Sequence, residues 1–167
     1  MRYGWDLQHQ YLKESGNDRG ILSWIMRWQL HRLRRWDLQS SFGVDYFVSN
    51  SGFIKQRINK VYRRNADVIY PPVDTDYYSL APAIRREDFF LCASRMVPYK
   101  KMDLIVEAFA NMPDKRLVVI GDGPEMKKVQ SKSRGNVEIL GYQSRDALRN
   151  YMQRAKAFVF VAEEDFG

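Results

Sequence analysis

What this chain has little of narrows its class before any motif is read. Its one cysteine, Cys92, sits inside an apolar run, so no intramolecular disulfide can form and a reducing compartment is expected. Its two histidines, His9 and His31, share no metal-ligand spacing with the cysteine or with carboxylates, and no metal is expected. No apolar run approaches the roughly 18 residues that a bilayer span requires, and the opening residues do not read as a signal peptide. Low-complexity tracts and the composition of disorder are missing as well. Acidic residues are in deficit: 20 Asp and Glu against 27 Lys and Arg leave a net charge of +7. These absences describe a globular protein expected in the cytoplasm. The charge asks for a polyanionic partner, and nucleotide phosphates, anionic lipid and nucleic acid all satisfy it.

What is present becomes regular from Asp88 onward. The apolar run Phe89-Phe-Leu-Cys-Ala93 predicts a strand, residues 101–111 a helix, and Arg116-Leu-Val-Val-Ile120 a second strand. A helix to about Ser133 follows Gly121-Asp-Gly-Pro-Glu125, with Pro124 suited to its first position. Val137-Glu-Ile-Leu140 predicts a third strand, Ser144 caps a helix to about Arg154, and residues 157–162 predict a closing strand. Strand-helix alternation with short loops means right-handed crossovers and a doubly wound parallel sheet with flanking helices.

The first half is less regular. Residues 21–38 predict a helix with Leu22, Ile25, Met26, Leu30, Leu33 and Trp36 on one face and Arg27, His31, Arg34 and Arg35 largely on the other. Packing of that stripe on a core is the commoner outcome for such a helix. Contact with an anionic membrane surface, through Trp24 and Trp28, is the side reading. Val44-Asp-Tyr-Phe-Val48 and Ala66-Asp-Val-Ile-Tyr70 predict strands on either side of a helix at 53–62 capped by Ser51, and Pro71-Pro72 ends the second strand. Residues 73–86 read as a connector, which places two domains at 1–82 and 83–167.

Between the strand at 89–93 and its helix lies Ser94-Arg-Met-Val-Pro-Tyr-Lys100-Lys-Met-Asp103. Open parallel sheets bind ligands at the carboxyl ends of their strands, and helix N-termini attract anions. Arg95 offers a planar fork and Lys100 a mobile point charge, so the pair could cradle a diphosphate. Spacing alone fits ordinary solvated loop cations equally well. Gly121-Asp-Gly-Pro-Glu125 lacks the third glycine of a dinucleotide fingerprint, since Met126 stands there. Gly121 and Gly123 still permit a tight turn and close approach of a ligand to the backbone. Gly141, Tyr142 and Gln143 form a third loop on this edge, where a base could rest. Glu163-Glu164-Asp165 brings carboxylates for sugar hydroxyls, or simply an exposed acidic turn. Asp165-Phe-Gly167 mimics the kinase magnesium motif, but no glycine-rich loop, strand lysine or catalytic loop accompanies it.

Taken in order, Ser94-Arg-x-Val-Pro-x-Lys100-Lys-x-Asp-Leu-x-x-Glu-Ala-Phe109, Val-Ile-Gly-Asp-Gly-Pro-Glu125, Leu-Gly141 and Phe-Val-Phe-x-Ala-Glu-Glu-Asp-Phe-Gly167 resemble the retaining glycosyltransferases of family 4. That resemblance implies the GT-B architecture, with two Rossmann-like domains facing across a cleft, here the later part of the acceptor domain and the earlier part of the donor domain. The first half, through Met1-Arg-Tyr-x-Trp-Asp6, Val44-Asp-x-Phe-Val-x-Asn-Ser51, Arg57-Ile58 and Tyr70-Pro-Pro-Val-Asp74, is similar to a bacterial mannosyltransferase-like branch that builds lipopolysaccharide or capsular polysaccharide.

By the resemblance, Arg95 and Lys100 bind the donor diphosphate and stabilise the leaving nucleotide. Glu164 matches the first glutamate of the family's Glu-x7-Glu motif and contacts the donor sugar. The backbone of Phe166 and Gly167 would lie near the diphosphate, with Gly121 and Gly123 lining the donor site. Gly141, Tyr142 and Gln143 would receive the base. The second motif glutamate would fall beyond Gly167 and the family's active-site histidine before Met1. Neither His9 nor His31 matches that histidine, and Val161 replaces a usual proline.

The expected activity is transfer of a hexose, with mannose suggested by the branch, from a nucleotide diphosphate sugar to a glycan or lipid-linked acceptor, without a metal. The cytoplasm is the expected place, with peripheral contact at the inner face of a membrane as the side reading, and no nucleic acid is expected as partner. The chain itself reads as truncated at both ends and inactive alone. Two rivals stand beside this: a basic module for nucleic acid or membrane surface, and a nucleotide-sugar epimerase of the same architecture.

Overall fold

A computed structural model of the chain describes residues 8–14, 16, 19–79 and 83–162. The chain divides into two compact units, the first running to Pro72 and the second from Val73 to Glu164.

The first unit opens with α1 (Gln8–Glu14) and the long α2 (Gly20–Ser40), which runs into a 3-10 turn at Ser41–Gly43. A small parallel pair follows, β1 (Val48–Ser49) and β2 (Asp67–Val68), linked through α3 (Gly52–Tyr62), with Val48 opposite Asp67 and Ser49 opposite Val68. Ser51 caps α3 as its sequence predicts, its hydroxyl accepting from the Ile54 N–H at 3.2 Å. Both strands are shorter than the apolar runs that announced them. Each has a single described partner, so ladder bonds form only where the two runs overlap. Tyr62 donates to the Asp37 carboxylate at 2.7 Å, tying the end of α3 to α2. Burial, and then this carboxylate, push the Tyr62 pKa up to about 12.

The long helix departs from expectation. Its stripe does not pack on a core: Leu22, Ile25, Leu33 and Trp36 are exposed, while Met26 and Leu30 are half-buried. The inward side is Ser23, Met26, Arg27, Leu30, Arg34 and Asp37, spaced three and four apart. Polar groups on that side are satisfied locally, Arg27 donating to the Ser23 hydroxyl and Arg34 to the side-chain oxygen of Gln8. Within the first unit α2 rests on its polar side, where Arg34 meets Gln8 and Asp37 meets Tyr62, and the tryptophans face outward.

The second unit is the parallel sheet. Strands β3 (Phe89–Ala93), β4 (Arg116–Ile120), β5 (Val137–Gly141) and β6 (Ala157–Phe158) stand in the order β5-β4-β3-β6, every pair parallel. Helices α4 (Met102–Ala110), α5 (Met126–Lys132) and α6 (Arg145–Arg154) make the crossovers. Side-chain alternation along β3 separates the two faces. Cys92 goes with Leu117 and Val119 into a core closed by Met102, Ile105, Val106 and Phe109 of α4 and Val129 of α5. Phe89 and Leu91 go with Val118 and Ile120 onto the other face, against Ala155 and, from α6, Leu148 and Tyr151. The mixed α/β, doubly wound architecture follows. Cys92 is buried and its thiol is pushed up to about 12 by loss of solvent, which leaves it without nucleophilic chemistry. Of the closing strand expected at 157–162, only Ala157 and Phe158 join the ladder, continued by one bond from Val159 to Leu91.

Two features of this unit had no sequence signal. Asn136 donates through its amide to the carbonyls of Phe109, Met112 and Lys115, gathering the end of α4 onto the turn before β5. Residues 74–79 are held by α6: Arg145 pairs with Asp74 at 2.7 Å, the Tyr77 hydroxyl donates to Asp146, and Gln153 donates to the Ser79 carbonyl. The Arg145 guanidinium lies 3.9 Å from the Tyr77 ring centre.

Candidate functional site

All four strands of the larger sheet point their carboxyl ends to one edge. From β3 the chain crosses to β4 and on to β5, then returns past β3 to reach β6 on the other side. The strand order therefore reverses between β3 and β6. In open parallel sheets the ligand crevice lies outside the carboxyl ends of the strands at that reversal. The loops that border it here are residues 94–101, after β3, and the segment from Val159, after β6.

The loop after β3 is held from beneath. Met96, in the middle of a polar loop, is fully buried in the core of α4 and β4. Its N–H donates to the Asp122 carbonyl at 2.9 Å, its carbonyl accepts from Glu125 at 3.1 Å, and the Ser94 N–H donates to Ile120. Gly121 and Gly123 make this closeness possible. Both have positive φ, and a Cβ on Gly121 would stand 1.9 Å from the Ser94 carbonyl oxygen, one on Gly123 2.5 Å from that of Met96. The close approach at these glycines is thus made by the neighbouring loop's backbone. With Met96 driven inward, Arg95 beside it is exposed, and among the described residues it forms no salt bridge. The apolar Met96 was the signal for this anchoring.

Lys100 ends a 3-10 turn (Pro98–Lys100), after which Lys101 takes the left-handed conformation with φ of 51° and starts α4. The Lys100 ammonium lies 5.3 Å from the Tyr99 ring centre and 5.4 Å from that of Phe160. Phe160, which stands in the last motif but was given no role there, thereby brings the segment after β6 beside the cation of the β3 loop, across the strand-order reversal. Arg95, Lys100 and the open first turn of α4 supply positive potential on one edge. The carboxylate in that turn, Asp103, is turned away into an ion network with Lys128 and Lys132 of α5, at 3.2 and 2.9 Å.

The third loop leaves β5 at Gly141, whose φ is 68° and whose carbonyl accepts from the Gly121 N–H at 2.8 Å. The loops after β4 and β5 are thereby joined. Tyr142 is 82% exposed, and Gln143 donates to the Leu140 carbonyl. Glu164, Phe166 and Gly167 lie outside the described residues. The site residues within them come from the carboxyl ends of β3, β4 and β5, with Phe160 added from β6. Among the described residues no cluster of three or more His, Cys, Asp or Glu could hold a metal ion. A cavity of about 650 Å³ lies at the opposite edge, where Arg116 and Glu138 are already paired at 2.7 Å.

A comparison with curated proteins returns no match. Among solved structures the chain is similar to AviGT4, a glycosyltransferase involved in avilamycin A biosynthesis, with 24% identity over 72% of this chain and 36% of that one and a TM-score of 0.55. It is similar to a glycosyltransferase from Rickettsia africae ESF-5, with 17% identity, 80% of this chain, 42% of that one and a TM-score of 0.61. Anabaena Alr3699/HepE, solved with UDP and glucose, matches with 16% identity over 80% of this chain and 42% of that one, TM-score 0.61. The chain spans well under half the length of each. At these identities the likeness is one of fold, and the fold is that of the GT-B glycosyltransferases. Residues 81–167, which carry all three loops of this edge, match the family described as glycosyl transferases group 1, and with that match covering slightly more than half its length the chain belongs to that family.

Proposed function

We propose that this chain supplies the diphosphate-binding edge of a retaining glycosyltransferase of family 4 that moves a hexose, mannose being our first candidate, from a nucleotide diphosphate sugar to a glycan or lipid-linked acceptor. The observation that carries the reading is the pairing of Arg95 and Lys100 on one anchored loop at the strand-order reversal, in a chain of this family. Negative charge grows on the departing diphosphate as the sugar–oxygen bond breaks. Cations already held there by Met96, Gly121 and Gly123 meet that charge without reorganising, which lowers the barrier more than it tightens the ground state. In this reading Arg95 takes two oxygens through its fork, Lys100 follows the leaving phosphate, and no metal is required. The exposed Tyr142 ring and the Gly141 and Gln143 backbone receive the base, and Glu164 accepts hydrogen bonds from the sugar.

The nucleotide part of the proposal draws support from HepE, whose structure holds UDP and glucose. The polysaccharide branch draws support from a further fold neighbour, the lipopolysaccharide outer core galactosyltransferase WaaB. These 167 residues alone are proposed to transfer no sugar, since the matched part of the chain covers only 36% and 42% of two of the fold neighbours. Donor binding is the direct test. Titrating the chain with UDP-glucose and GDP-mannose by calorimetry, Arg95→Ala and Lys100→Ala are each expected to weaken the preferred donor about 10- to 100-fold, the worth of one charge-assisted hydrogen bond. Affinity that ignores both substitutions would remove the reading.

A further inference from the structure

We propose that the outward face of α2 docks on an anionic lipid bilayer, with Trp24, Trp28 and Trp36 at headgroup depth and Arg32 and Arg35 on lipid phosphates. This goes beyond the donor-site reading and is independent of it, because α2 lies in the first unit and shares no residue with the loops after β3, β4 and β5.

Helix α2 sits inverted in its unit. Its inward side is Ser23, Arg27, Arg34 and Asp37 with two aliphatic residues, while Ile21, Trp24, Ile25, Trp28 and Trp36 face out, Ile21 and Trp24 being 82% and 72% exposed. Water is a poor neighbour for such a face, and a contiguous exposed apolar patch marks an interaction surface. Charge then chooses the occupant. Over Gly20–Ser40 the helix carries four arginines and one carboxylate, Asp37, which is engaged by the Tyr62 hydroxyl. Arg32 and Arg35 are exposed on the outward side among the tryptophans, and the Arg32 guanidinium lies 5.0 Å from the Trp28 ring centre.

A protein partner closing over this face would have to bury those guanidinium groups and pair each one. A second copy would set arginine against arginine. A bilayer interface suits both residue types at once, offering an apolar zone to the indole rings and phosphates to the cations. Arg32, Arg35 and Trp36 border one shallow groove of about 450 Å³ on this face, roomy enough for a phosphate headgroup. No helix among the described residues is long and apolar enough to cross a membrane, and arginines at its middle hold α2 parallel to the surface. A helix of 21 residues lies along about 30 Å of that surface.

The test is flotation of the full chain with vesicles of phosphatidylcholine alone and of phosphatidylcholine mixed with an equal amount of phosphatidylglycerol. Tryptophan quenching by brominated lipid is read in parallel. The chain is expected to float with the anionic vesicles, to be quenched, and to be released by salt. Arg32→Gln with Arg35→Gln is expected to lower partition about 25-fold, about fivefold for each arginine near the surface. Trp24→Ala with Trp28→Ala is expected to lower both partition and quenching. All four side chains are exposed, so equal thermal midpoints will show that the fold is intact. Failure to bind anionic vesicles, equal binding to both vesicle types, or partition indifferent to both double variants would each overturn the proposal. So would a concentration-dependent dimer, abolished by the tryptophan substitutions, in a chain that ignores vesicles.

Discussion

Gly121 and Gly141 share a loop edge and a positive φ, yet they answer to different constraints. At Gly121 a Cβ would stand 1.9 Å from the Ser94 carbonyl oxygen, and the atom in the way is backbone. At Gly141 nothing among the described residues beyond its chain neighbours lies within 4 Å, so an added methyl meets the conformational cost of φ 68°. Gly141→Ala should therefore cost about 1–2 kcal/mol, the penalty of a left-handed L-residue. Gly121→Ala should cost about 3 kcal/mol or more, because the loop carrying Arg95 must shift or the strand edge must open. Urea unfolding of the two variants measures this difference, and equal losses would mean that the loops are not zipped together. The same substitution at Gly121 should also weaken donor binding, since it moves the cations without changing them. Sequence spacing flagged both glycines but could not say what approaches them. At Gly121 that answer is Ser94, 27 positions away on another loop.

Elements here are joined by charge as well as by apolar contact. Along α4, Met102, Ile105, Val106 and Phe109 fall three and four apart and face the sheet, while Asp103 and Glu107 fall on the side that meets α5. Lys132 reaches both carboxylates and Lys128 reaches Asp103 and Glu125. Burial would raise the pKa of Asp103, but hydrogen bonds from Lys132 and then Lys128 outweigh it and hold the carboxyl below its ordinary 3.8. A carboxyl depressed on folding stabilises the native state above its unfolded pKa, and that contribution is lost as pH falls from there through the depressed folded pKa. Thermal midpoints should therefore decline as the pH drops through about 4 and below, and Asp103→Asn should flatten that acid limb while leaving the neutral core packing in place. An unchanged acid limb in the variant would place the sensitivity elsewhere. The helices themselves were legible because amphipathic spacing and serine caps are local properties, as Ser51 and Ser144 show. The network joining α4 to α5 was not, because it pairs residues 25 to 29 apart across two crossovers.

For the molecule as a whole, the division into units makes a prediction about where the second one starts. The connector residues Asp74, Tyr77 and Ser79 are gripped by α6, so they belong to the sheet's own domain. A chain starting at Val73 should unfold in one cooperative transition. A chain starting at Ala83 should keep the fold, since the two cores lie within residues 89–159, but melt at a lower temperature for want of the grip. Calorimetry of the two chains distinguishes them, and identical midpoints would make the connector an onlooker. The first unit behaves otherwise, for its longest helix turns tryptophans to solvent, and its stability and its partner are one question.

The amino-acid order by itself determined the alternation of strands and helices from Phe89 onward, the caps of α3 and α6, and the presence of two cations between the first strand of that series and its helix. Each is written in contiguous residues, where side-chain periodicity and backbone preference act directly. It also contained the apolar stripe of α2, but not the direction in which the stripe would face. Direction is decided by which side finds partners, and in this structure Gln8 and Tyr62 meet the polar side. Tertiary structure alone decided that Arg95 and Lys100 stand at the strand-order reversal, that Met96 and two glycines hold them there, and that Phe160 comes beside Lys100. Sheet order arises from which apolar faces bury one another, and no local signal encodes it.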